Sequence, residues 1–134
     1  MEGLSGPIAD DAAFRQTWRT ILPIYFKRYS AEIGDAMDES TSYSAAAFNR
    51  GFFECLSRFN TVNRLAETTT PALVIAGRDD WMMPPSEGAE RLHSRLPNSQ
   101  LVVFEESGHF PFIEEQDAFL ATVAEWLATN VSRQ

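Results

Sequence analysis

"ALVIAGRDDWMMPP", residues 72–85, decides how this chain is read. Its first six residues are a continuous apolar run closed by Gly77, the pattern of a strand buried on both faces of a parallel sheet. "RDDWMMPP" (78–85) then reads as a loop, stopped by Pro84 and Pro85. Downstream, residues 86–96 suit a helix with Ala89, Leu92 and Leu96 facing in. Pro97-Asn98 is a turn, and "QLVVFE" (100–105) is a second buried strand. "ESGHFPF" (106–112) is the next loop. Residues 113–129 read as a helix with Ile113, Gln116, Phe119, Leu120, Val123 and Leu127 on one face. Residues 71–130 therefore read as a parallel β-α-β-α unit, whose crossover is expected to be right-handed.

Upstream the pattern is helical. Residues 10–29 carry an apolar stripe of Phe14, Trp18, Ile21, Leu22, Tyr25, Phe26 and Tyr29, with Asp10 as N-cap and Pro23 as a kink. Residues 30–41 read as a loop or a short helix. Residues 43–59 read as a helix faced by Phe48, Phe52, Leu56 and Phe59 and weakened at Gly51. The expected division is a helical segment over 1–65 and an α/β segment over 66–134.

Composition narrows the function classes. The 134 residues carry a formal charge of −8, with 19 Asp and Glu against 11 Lys and Arg. No basic patch offers a surface for nucleic acid or an anionic membrane. No apolar run approaches the length of a membrane span, and no signal peptide is visible. Cys55 is the only cysteine, which excludes an internal disulfide and points to a reducing, cytoplasmic setting. The two histidines lack metal-ligand spacing and no glycine-rich phosphate loop is present, so neither metal nor cofactor is expected.

In open parallel sheets, function gathers in loops at the carboxyl ends of strands. The first such loop holds Asp79 and Asp80, and the second holds His109. A carboxylate beside an imidazole fixes its tautomer and stabilises its protonated form. These residues resemble the C-terminal part of the α/β-hydrolase fold, in which the triad follows the chain order Ser, Asp or Glu, His. Gly77, Asp80 and Pro84 match the family's spacing around its acid. Gly108-His109 match the glycine and base after its last strand. The helical segment resembles the family's cap, especially that of proline-iminopeptidase-like members, with "FNRGFFECLSRFNTVNRL" (48–65) as the cap-to-core stretch.

The resemblance implies Asp80 as the acid, with Asp79 as its rival, and His109 as the base. It implies Trp81, Met82 and Phe110 as substrate contacts, although packing under a cap would equally explain Trp81, Met82 and Met83. Glu54 is in reach of an aminopeptidase-like role on a substrate amine. Against strict aminopeptidase specificity, Phe48 stands where an acidic residue is expected. The implied substrate is a small ester, amide or peptide-like molecule.

The family's G-x-S-x-G nucleophile elbow does not occur in this sequence. The nearest approach, Gly3-Leu4-Ser5-Gly6-Pro7, has the wrong spacing and no strand before it. The segment that forms the oxyanion hole is missing as well. The expectation is a C-terminal portion of a serine hydrolase, inactive by itself, that pairs with the N-terminal half or self-associates. The alternative is a truncated relic that serves as a dimerising or binding domain. His93 reads as a solvated helix residue, Cys55 as a buried inert thiol, and Glu114 and Glu115 as the solvated first turn of the last helix.

Overall fold

The computed structural model describes residues 6–131, and they fall into two compact units. The first comprises the described residues up to Pro23 together with Tyr29–Asn60. The second comprises Ile24–Arg28 and the chain from Thr61 onward.

The first unit is helical. Helix α1 (Asp11–Ile21) is capped by Asp10, whose side chain accepts the Ala13 N–H. It ends two residues before Pro23, and Leu22–Tyr25 tightens into a 3-10 turn. Helix α2 (Ala31–Ser40) fills the region left open between loop and short helix. Ser30 caps it, but it has no continuous apolar stripe to hold it. Its anchor is polar. The carboxylate of Asp38, 5% exposed, accepts hydrogen bonds from Arg15, Arg19 and the Tyr43 hydroxyl. The Arg15 guanidinium foremost, with Tyr43 and Arg19 behind it, holds Asp38 well below the usual carboxylate range.

Helix α3 (Ala45–Asn49), capped by Ser44, opens the stretch expected as one helix. The winding then loosens to a π-helical turn at Arg50–Cys55 and tightens to a 3-10 turn at Leu56–Arg58. Gly51, which weakens a helix, lies inside the π segment. Phe14 packs on Tyr43 and Phe48, and Phe48 stacks on Phe52.

The second unit holds the sheet. After a 3-10 segment at Val62–Glu67, strand β1 (Ala72–Gly77) pairs in parallel with β2 (Ser99–Phe104), in register from Ala72 with Ser99 to Gly77 with Phe104. Val74, Ala76 and Ala89 form a small buried cluster, with Leu96 and Leu101 packed against it. The crossover helix is shorter than expected. Residues 85–88 are turns that close onto the Pro84 and Pro85 carbonyls, and only α4 (Ala89–His93) is regular.

After β2 the chain forms α5 (Pro111–Glu114), breaks at Glu115, and continues as α6 (Gln116–Val131). Phe119 of α6 packs on Phe104 and Phe112. The architecture is a C-terminal portion of an α/β fold: helices plus a parallel β-α-β-α unit.

Ile24–Arg28 lies within the stretch expected as helical segment, yet it belongs to the second unit. Polar bonds explain why. The Tyr25 carbonyl accepts the His109 N–H, Lys27 Nζ reaches Asp79 and Glu106, and the Arg28 N–H donates to Glu114.

Candidate active site

Parallel pairing brings the two strand-end loops together. Past the last strand residues, the Arg78 N–H donates to the Phe104 carbonyl at 2.8 Å and the Asp79 N–H to the Ser107 carbonyl at 3.0 Å. These bonds carry the ladder into the loops. At Gly77 the approach is so close that a Cβ would overlap the carbonyl oxygens of Ser107 and Gly108. No described residue has positive φ, so both Gly77 and Gly108 are required for space rather than for conformation.

This approach seats Asp80 against His109. Asp80 is 7% exposed. Its Oδ2 lies 2.7 Å from His109 Nδ1. Its Oδ1 accepts the N–H groups of Met82 at 3.0 Å and Met83 at 2.9 Å. Both carboxylate oxygens are therefore committed, one to a fixed backbone turn and one to the imidazole. With Nδ1 facing an acceptor, the ring carries its proton there and Nε2 is left as the basic nitrogen. The side chain of His109 is 41% exposed, so the ring is reachable from outside. Its rim is aromatic: Tyr25 and Phe110 each meet it edge to face at 5.3 Å. Burial, and second the charge of Asp80, push the Tyr25 phenol above its ordinary pKa.

Of the two candidate acids, Asp80 is the one on the histidine. Asp79 instead pairs with Lys27 Nζ at 2.7 Å. Asp80 and His109 also line a groove of about 350 Å³ along β1, which runs past Gly77, Met83, Ala89 and Leu92. Trp81, Met82 and Phe110 do not line it. The Asp80 turn leaves Trp81 61% and Met82 40% exposed. Phe110 packs among Tyr25, Phe26 and Phe112.

Other sequence expectations need correction. Cys55 is exposed, because the π-helical winding engages Phe52 and Phe53 with Phe48 and leaves the thiol outward. His93 is half-buried, with Nδ1 2.8 Å from Ser99 Oγ, since the short α4 ends next to the start of β2. Glu114 and Glu115 are not simply solvated: both reach back to the residues around His109. Glu54 is exposed in the first unit. Ser5 lies outside the described residues. Among the described residues, no three His, Cys, Asp or Glu side chains converge as a metal ion would need, and no helix is long and apolar enough to cross a membrane.

Comparison with known proteins gives the same fold. The curated relatives include a proline iminopeptidase from Clostridioides difficile, 37% identical over 75 residues, which cover 56% of this chain and 25% of that protein. A 2-hydroxy-6-oxononadienedioate/2-hydroxy-6-oxononatrienedioate hydrolase from Dechloromonas aromatica is 44% identical over 64 residues, covering 48% of this chain and 22% of that protein. The matched stretch thus spans about a quarter of the length of the curated relatives. Among solved structures, an esterase from Exiguobacterium antarcticum superposes with a TM-score of 0.77 at 24% identity, over 86% of this chain and 43% of that one. The family model for the alpha/beta hydrolase fold matches residues 4–116. With its strand-end loops, parallel pair and relatives in agreement, the chain belongs to the α/β-hydrolase family.

Proposed function

We propose that this chain supplies the acid and base of a Ser–Asp–His triad, with Asp80 as the acid and His109 as the base. The observation that carries this is the 2.7 Å contact between a buried carboxylate and the Nδ1 of a half-exposed imidazole. The nucleophile is a serine outside these 134 residues, contributed by an N-terminal hydrolase half, and so are the oxyanion-hole donors. The substrate is an ester, amide or peptide-like small molecule. The relatives' names, which span a peptidase, an esterase and a dienedioate hydrolase, narrow it no further.

In the reaction, His109 Nε2 takes the serine hydroxyl proton as the serine oxygen attacks the substrate carbonyl. Asp80 holds the resulting imidazolium. The leaving group takes that proton as the carbonyl re-forms to give an acyl-enzyme. Water, deprotonated by the same nitrogen, then releases the acid. Trp81 and Met82, exposed one and two residues after the acid, and Phe110, next to the base, contact the substrate from outside the groove along β1. Of residues 1–65, expected as the cap, those of the helical first unit serve in that role, while Ile24–Arg28 and the residues from Thr61 belong to the second unit.

The partner surface is apolar. Leu120 and Leu127 of α6 are 57% and 45% exposed, and the described sheet has only two strands. The N-terminal half of a hydrolase covers these, or in its absence a second copy does.

Fluorophosphonate labelling with intact mass spectrometry of the isolated material tests this. The expected result is a companion segment labelled on serine, with labelling at least about a hundredfold slower when His109 is replaced by Gln. Serine labelling indifferent to His109→Gln would overturn the triad assignment. A single unlabelled 15.1 kDa species would favour the relic with a binding role.

A further inference from the structure

The two glutamates that follow the histidine loop do not act as surface charges. Glu115 Oε2 accepts the Ser107 hydroxyl at 2.6 Å and the Glu106 N–H at 2.9 Å. Glu114 Oε2 accepts the Gly108 N–H at 2.7 Å, and its Oε1 accepts the Arg28 N–H at 2.8 Å. Three of these four donors belong to the three residues immediately before His109. The fourth belongs to the 24–28 segment, whose Tyr25 carbonyl receives the His109 N–H at 2.6 Å. The helix break at Glu115 allows both carboxylates to turn back on the loop. Ser107, between them, is 0% exposed.

The chemistry of the donors calls for acceptors only. Glu114 takes one donor on each of its oxygens, as an ionised carboxylate can, whereas both donors to Glu115 reach its Oε2. An amide at position 114 has one accepting oxygen and turns N–H groups on the other donor. Hydrogen bonds to a charged acceptor are also the stronger kind. The backbone before His109 is therefore fixed by two charged clamps, and that backbone determines where the imidazole stands relative to Asp80.

We propose that Glu114 and Glu115 are positioning residues that hold the His109 ring on Asp80. This inference rests on the acid–base assignment of Asp80 and His109. The 134-residue chain, with ¹⁵N-labelled histidine, tests both separately by NMR. In the wild-type chain the assignment expects a hydrogen-bonded Nδ1–H proton on His109 that is lost in Asp80→Asn. Its absence in the wild type overturns the acid–base pair itself.

If the signal is present, Glu114→Gln and Glu115→Ala should each speed its exchange with solvent at least tenfold. The His93 ring signals should be unchanged, as should those of a Glu125→Gln control on α6. Should either variant fail to fold, Ser107→Ala tests the same clamp by removing a donor and leaving both carboxylates. Variants that fold and keep the His109 exchange rate within twofold of wild type overturn the proposal.

Discussion

Replacing Gly108 by alanine probes the contact that assembles the site. An ideal Cβ on Gly108 would stand 2.5 Å from the Tyr25 carbonyl oxygen, 2.9 Å from the Lys27 nitrogen and 3.0 Å from the Phe26 carbonyl carbon. Ordinary contact lies at 3.4–4 Å, so one of the two backbone segments must move by about 1 Å. All three neighbours are main-chain atoms, so no side-chain rotation relieves the overlap. The φ of Gly108 is not positive, so the entire effect is steric. Overpacking of this kind costs roughly 1–3 kcal/mol. The same displacement stretches the bonds from the His109 N–H to Tyr25 and from the Gly108 N–H to Glu114, with net values of about 1 and about 2 kcal/mol. Partial loss of both brings the expected destabilisation to about 3–5 kcal/mol, a large share of the stability of a small domain. Urea unfolding followed by tryptophan fluorescence measures it, since Trp81 and Trp126 lie in this unit. Gly51→Ala is the control, because a Cβ there meets nothing within 4 Å. It should be neutral or stabilising by up to about 1 kcal/mol. A Gly108→Ala chain within about 0.5 kcal/mol of wild type at unchanged slope would refute the steric reasoning.

Asp80→Asn in the complemented enzyme should lower kcat by about 10⁴-fold with little change in KM, because an amide facing Nδ1 selects the wrong tautomer. A loss below tenfold, from the steady-state rate, counts against Asp80 as the orienting acid. The depressed pKa of Asp38 makes the first unit acid-sensitive. A carboxyl whose folded pKa lies below its unfolded value stabilises the fold above about pH 4, and that stability is lost progressively as pH falls further. Far-UV circular dichroism should show helix loss beginning below about pH 4, while Asp38→Asn should be less stable at neutral pH and nearly flat across the same range. Cys55 should react with a thiol reagent in the native chain at nearly the rate seen in urea, since it is exposed. Protection of more than about a hundredfold would place it in an interface. Sedimentation at micromolar concentration should show self-association of the isolated chain, and a cooperative monomer would contradict the partner surface proposed on α6.

What the sequence made legible follows from which forces have short-range signatures. "ALVIAG" and "QLVVFE" announce buried parallel strands because burial on both faces leaves no room for alternation. Once two such strands are parallel, their carboxyl-end loops must be neighbours, so Asp80 and His109 could be paired before any coordinates. Choosing Asp80 over Asp79 needed more. Both are polar loop residues; the family spacing of Gly77, Asp80 and Pro84 favours Asp80, and in the fold a turn commits Asp80 Oδ1 to Met82 and Met83 while Asp79 pairs with Lys27. Helix α2 was obscure for the opposite reason. "AEIGDAMDES" has no apolar stripe, and its anchor is the single buried carboxylate of Asp38, whose partners Arg15 and Arg19 lie a whole helix away in sequence.

The same distinction explains the misreading of Glu114 and Glu115. Two acidic residues at a helix start ordinarily suit the helix dipole and face water. Here the run from Pro111 to Glu114 is only one turn long, and the backbone breaks at Glu115. The carboxylates then lie within reach of N–H groups that the His109 loop, ordered in neither helix nor strand, cannot satisfy internally. A tight loop next to a sheet end exposes several unpaired donors, and charged acceptors close at hand in sequence are the cheapest way to satisfy them. Asp80 and His109 are legible because they sit at positions fixed by the sheet. The residues that hold them are legible only after asking where each loop donor finds its acceptor. For the stretch from Glu106 to His109 that accounting gives Glu115 to the Glu106 N–H and the Ser107 hydroxyl, Glu114 to the Gly108 N–H, and the Tyr25 carbonyl to the His109 N–H.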